Sequence, residues 1–148
     1  MKIQHLIYSI GLSSLASVAI AEPSIEYLEC LHSKTTTHFV LVAATKHYPH
    51  LKLMYYPYLK PIASHYIKTE AVEMAEGRPF EQHIFYNEGN GKQNTGQYEV
   101  VQQGARIYAV IYTAQQSGKV TNFQNYLTDE QRYEVNQLLI PHKLQCIS

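Results

Sequence analysis

The stretch Gly96–Gly118, GQYEVVQQGARIYAVIYTAQQSG, constrains this chain more than any other part of it. Two runs of β-branched and aromatic residues flank Gln103-Gly104, and a glycine closes each end. Such runs suit a pleated, half-buried surface, and the central glycine invites a reversal, so the segment predicts a β-hairpin. A two-residue turn at Gln103-Gly104 sets Val100 opposite Ile107 and Tyr98 opposite Ala109. Tyr98, Val100, Ile107, Ala109 and Ile111 then share a dry face, and Glu99, Val101, Arg106, Tyr108, Val110 and Tyr112 share the other. Gln-Gly is weaker turn chemistry than Asn-Gly. A longer loop with Gly104 in a left-handed bulge is the alternative, and it exchanges one strand's faces relative to the other.

Short strands are expected along most of the chain. Ser24–His32 opens with mixed faces, and Thr37–His47 is apolar on both parities, as in a central strand covered on both sides. Leu51–Tyr56 alternates, and Pro57 and Pro61 then force a bend or an edge. Ile62–Met74 reads as a strand over most of its length, while its later part, Lys68 to Glu76, suits a short helix equally. Phe80–Tyr86 alternates again, Asn87–Gly96 reads as a glycine and asparagine loop, and Lys119–Gln124 adds a short strand. Thr128-Asp129-Glu130-Gln131 is a capping box ahead of Val135, Leu138 and Leu139 at helical spacing, with Pro141 as the stop. One helix over Asp129–Ile140 follows. The pattern is mainly β: an antiparallel β-sandwich or small β-barrel with one C-terminal α-helix.

The ends of the chain fix its compartment. Lys2, an apolar run from Leu6 to Ile20 and the Ala19-Ile20-Ala21 site read as a signal peptide over residues 1–21, cleaved between Ala21 and Glu22. Residues 22–148 then form a single exported β-rich domain, periplasmic or extracellular, with no membrane span once the leader is gone. Loss of Lys2 takes the formal charge from 0 to −1, which gives no electrostatic case for nucleic acid. The only two cysteines, Cys30 and Cys146, sit near opposite ends of the exported chain. In an oxidising compartment they are expected to pair and tie those ends together.

Chemical motifs are sparse. His47-Tyr48-Pro49-His50 is the densest histidine cluster, but Pro49 breaks any helix there and no third ligand is identifiable, so no metal or other cofactor is expected. Gly91-Lys92 fails the phosphate-loop pattern twice, with Tyr86 where a glycine belongs and Gln93 where Ser or Thr belongs. There is no G-x-S-x-G elbow and no His-Glu-x-x-His. Glu70, Glu73 and Glu76 recur every third residue, the spacing of a solvated helical face rather than of a glycosidase pair. These absences favour a binding protein over an enzyme, with a small envelope hydrolase as the remote alternative.

The tyrosines are the better lead: 13 of them, with no tryptophan. Tyr55, Tyr56 and Tyr58 cluster around Pro57, and under the two-residue turn Glu99, Arg106, Tyr108 and Tyr112 share a sheet face. Aromatic rings flanked by charge can grip a protein or a cell-envelope ligand. Tyr27-Leu28-Glu29-Cys30 with Cys146, and Gly104-Ala105-Arg106-Ile107-Tyr108, bear a superficial resemblance to the small periplasmic lysozyme inhibitors. In that family an opening strand is bonded to a late cysteine and a Ser-Gly-x-x-Tyr loop inhibits. Gln103 stands here in the serine position, and the helix before Cys146 departs from the family's pattern. The resemblance implies an inhibitor or immunity-type protein against an exported enzyme such as a lysozyme, a narrower form of the binding role.

Overall fold

The structure is a computed structural model that describes residues 25–35, 39–44, 49–124 and 127–147. The expected leader, its Ala21–Glu22 junction, His38 and His47 lie outside the described residues.

Strands β1 (Glu26–His32), β2 (Phe39–Ala44), β3 (Leu51–Tyr56), β4 (Ser64–Val72), β5 (Glu81–Gly89), β6 (Asn94–Gln103), β7 (Arg106–Ala114) and β8 (Val120–Gln124) form one sheet in the order β3-β2-β1-β8-β7-β6-β5-β4. All these pairings are antiparallel, and β9 (Leu144–Cys146) adds to β1 in parallel. Among the described residues His32 and Gln124 are the pair that joins β1 to β8, and the sheet as a whole curls into a half-barrel. The edge strand β3 is tied across to β5. The Ile62 amide donates to Leu53 O (2.8 Å), and the Gly89 amide donates to Ala63 O (2.8 Å), so residues 61–63 link β3 to β5.

Two cores result. Leu31, Val40, Val42, Leu53, Ile84, Tyr86, Tyr98, Val100, Ile107, Val110 and Phe123 fill the concave side. On the convex side of β1–β3, Leu28, Cys30, Leu41 and Met54 meet Val135 and Leu139 of the helix α1 (Asp129–Leu139), together with Leu144 and Cys146. The β2 strand is therefore covered on both faces, as its unbroken apolar run predicts. Thr128 forms the full capping box with Gln131, which fixes where α1 begins. Cys30 and Cys146 are bonded, with their Cα atoms 5.5 Å apart. The mainly β fold, its C-terminal helix and the disulfide are as expected. No helix among the described residues is long and apolar enough to cross a membrane.

The hairpin register differs from the sequence reading. Gln103 pairs with Arg106, so the turn is Gly104-Ala105, and Gly104 at φ +61° takes the left-handed position that type II′ hairpins reserve for glycine. Between Val101↔Ala109 and Gln102↔Ile107 a bulge adds one residue, Tyr108, to β7. Tyr98 therefore faces Tyr112, and Val100 faces Val110. Beyond the bulge, Val110 and Tyr112 point inward in place of Ala109 and Ile111. The Asn87–Gly96 segment is also less of a loop than expected, because β5 and β6 run on to Gly89 and from Asn94. The Asn90 side chain closes the short connection by accepting from the Lys92 and Gln93 amides.

Candidate functional site

The functional candidates separate along the strands. Because β5–β8 are antiparallel neighbours, the Gly104-Ala105 turn and the Gly89–Asn94 connection lie at opposite ends of the half-barrel.

At the Gly89–Asn94 end, Glu88 continues the inward parity of Ile84 and Tyr86, and it faces Gly96 across the ladder. Gly96 leaves room that a side chain would remove: a Cβ there would overlap the Tyr112 ring. Tyr112 crosses that gap from β7 and donates to Glu88 Oε2 at 2.7 Å. Thr95 Oγ1 donates to the same oxygen at 2.8 Å, and Tyr98 donates to Oε1 at 3.1 Å. The Tyr55 hydroxyl, from β3, lies 3.0 Å from that of Tyr98. Burial, then the Glu88 carboxylate, raises the Tyr112 pKa. For Tyr98 burial acts first, followed by Tyr55 and Glu88, and its pKa also rises. Burial raises Tyr55 against the opposing bond from Tyr98. All three phenols remain protonated donors at neutral pH, so the cluster is a rigid hydrogen-bonded frame rather than a nucleophile.

Against this frame lies an open cavity of about 360 Å³ lined by Thr35, Tyr55, Tyr58, Tyr112, Lys119, Thr121 and Phe123. Tyr55 and Tyr58 come from the aromatic cluster around Pro57, and Tyr112 comes from the hairpin. Two groups nominated separately in the sequence thus meet in one wall. Tyr58 is 65% exposed at the rim, whereas Phe123 is buried and packs 6.1 Å from the Tyr55 ring.

The other nominated residues go elsewhere. Tyr56 points to the helix side of β3, edge-on to Phe39. The expected shared face of Glu99, Arg106, Tyr108 and Tyr112 does not exist, because the turn position and the bulge at Tyr108 divide it. Tyr112 is inward at the cavity end. Arg106 sits at the opposite end, where its Nε donates to the buried Glu29 at 3.1 Å. Tyr108 is exposed on the bulge. The Glu99 carboxylate faces outward and lies 2.5 Å from His83 Nδ1, while Glu81 meets Nε2 at 2.8 Å. Partial burial lowers the His83 pKa, but the bonds to Glu99 and Glu81 outweigh it and the net shift is upward. A carboxylate on each ring nitrogen favours the protonated form of His83 and occupies both nitrogens, so the ring is poorly placed to act as a base.

The segment resembling an inhibitory loop, Gly104–Tyr108, forms the turn and bulge of the hairpin, with Arg106 held by the residue before Cys30. Among the described residues no cluster of three or more His, Cys, Asp or Glu could hold a metal ion. Sequence reasoning missed Glu88, Gly96, Lys119 and Phe123 as parts of one site. Only Glu88 left a signal: a carboxylate continuing the apolar parity of Ile84 and Tyr86. Comparison with protein-family models, curated proteins and solved structures found no match to the chain.

Proposed function

We propose that this is an exported binding protein that takes a protein or cell-envelope ligand into the tyrosine-walled cavity at the open end of its half-barrel. One observation carries the reading: the cavity, about 360 Å³, has aromatic walls in which Tyr112 is held directly by Glu88 and Tyr55 is held through Tyr98. Its size and apolar lining with a few polar groups match small-ligand sites in general. Rings held in place before binding lose little rotamer freedom on contact, which favours affinity. The leader-like first 21 residues and the Cys30–Cys146 bond support an oxidising destination, periplasmic or extracellular.

Two residues from the original aromatic and hairpin sets, Glu99 and Arg106, engage His83 and Glu29 and contribute nothing to this cavity. The test is retention of envelope components from the producing cells on immobilised protein, comparing the wild type with Tyr58→Ala. Tyr58 is exposed, so the variant should keep the wild-type circular dichroism spectrum. A component retained by the wild type and lost by Tyr58→Ala is the expected result. Equal retention by both would remove the cavity from consideration.

A further inference from the structure

The direction of the protons in the Glu88 network limits what the cavity can bind. Tyr112 and Tyr98 each carry one hydroxyl proton and donate it to Glu88. Tyr98 therefore has no proton for Tyr55, so in the 3.0 Å contact between them Tyr55 is the donor. Around the inner wall the phenol protons point back into the protein. What Tyr112 offers the cavity is its ring, with its hydroxyl proton already committed to Glu88.

The opposite chemistry stands at the rim. Lys119 lines the cavity, can only donate, and forms no ion pair among the described residues. Thr35 and Thr121 add hydroxyls that serve either role, while Tyr58 and Phe123 add flat apolar surface. A complementary ligand brings O–H or N–H donors to Tyr112, an anionic acceptor to Lys119, and an apolar ring face to the aromatic rings.

Resting on the binding role proposed above, we infer that the cavity holds an acidic sugar: a hydroxylated ring bearing a carboxylate, seated between Tyr112 and Lys119. Ring hydroxyls supply donors, the C–H face stacks on Tyr58, and the carboxylate meets the lysine. A purely apolar ligand leaves the polar groups unmatched, and a neutral sugar leaves Lys119 without its acceptor.

The experiment is an amide chemical-shift titration of the full domain with D-glucuronate, D-glucose and an oligogalacturonate, on the wild type and on Lys119→Met. D-glucuronate should shift amides of β7, β8 and the Tyr58 turn, and bind about three- to fivefold more tightly than D-glucose, the scale of one partly solvated charge contact. In Lys119→Met the preference for D-glucuronate over D-glucose should vanish. The oligogalacturonate arm, run beside its own monomer D-galacturonate, separates sources: binding tighter than the monomer assigns the site to a polymer, and equal or weaker binding assigns it to the monosaccharide. D-glucose binding as tightly as D-glucuronate, or neither sugar shifting the cavity amides, overturns the inference. If neither binds while envelope capture still depends on Tyr58, only the ligand class falls. If capture is also indifferent to Tyr58, the binding role of the cavity falls with it.

Discussion

The two halves of the sheet are built to different standards of cover. Strands β1–β3 are buried on both faces, with the half-barrel core on the concave side and α1, β9 and the disulfide on the convex side. Strands β4 and β5 have the core on one side only, and β4 is largely exposed along its length. The difference follows from composition. FVLV at the start of β2 presents apolar groups to both sides, whereas SHYIKTEAV in β4 places Lys68 and Glu70 on the convex face, where they pair with each other at 2.5 Å. Two-sided burial stabilises roughly in proportion to the apolar area removed from water, so the β1–β3 half should hold the molecule together while the β4 edge tolerates change.

Opening the disulfide is the harshest way to break that contrast. The cysteines are 116 residues apart, and the chain-entropy model assigns closure of such a loop about 4–5 kcal/mol. The Cys30→Ala/Cys146→Ala pair should lower the free energy of urea unfolding by about that amount, measured against wild type under oxidising conditions. Next comes Leu139→Ala in α1, which removes a fully buried side chain from the convex core and should cost about 2–5 kcal/mol by the same unfolding assay.

The one-sided half carries a pH effect instead. The His83 pKa is raised above its ordinary 6.5 by Glu99 and Glu81, so the fold binds a proton there more tightly than the unfolded chain does. That contribution is fully present below about pH 6.5 and disappears as pH rises through the higher folded value. Thermal melts of the wild type should therefore show a fall in stability above pH 6.5 that His83→Asn lacks. At the small end, Val72→Ala on the β4 edge, where the side chain is 40% exposed, should change stability by less than about 0.5 kcal/mol. A loss as large as that of Leu139→Ala would show that the edge is covered in solution.

The well-covered half was also the more legible in sequence. The apolar run of β2 reports burial on both faces directly, and the Thr128–Gln131 box locates the start of α1 without tertiary information. The β4 strand was legible only in part: Ile62–Met74 reads as a strand whose later part, Lys68 to Glu76, suits a short helix equally, and the strand runs over Ser64–Val72. The hairpin register was not readable. Gln103-Gly104 and Gly104-Ala105 are both acceptable turns in isolation. The choice depends on burying Gln102 opposite Ile107, where Gln102 Nε2 donates to Gln82 at 2.7 Å across the sheet. The bulge at Tyr108 then sets which side Tyr112 faces. A site built from residues on β3, β5, β6, β7 and β8 depends on that register, so its members were visible as types and not as neighbours.

The absence of a side chain at Gly96 has a consequence for how such a site can diverge. The Tyr112 ring lies in the space that a methyl group at position 96 would fill. Gly96→Ala, the smallest possible enlargement, would push the Tyr112 ring off its seat and disturb its bond to Glu88. The caliber of the cavity is thus governed from behind the wall, by a backbone position that never meets the ligand. A lineage seeking a narrower or differently shaped receptor has that route open without altering any residue a ligand touches.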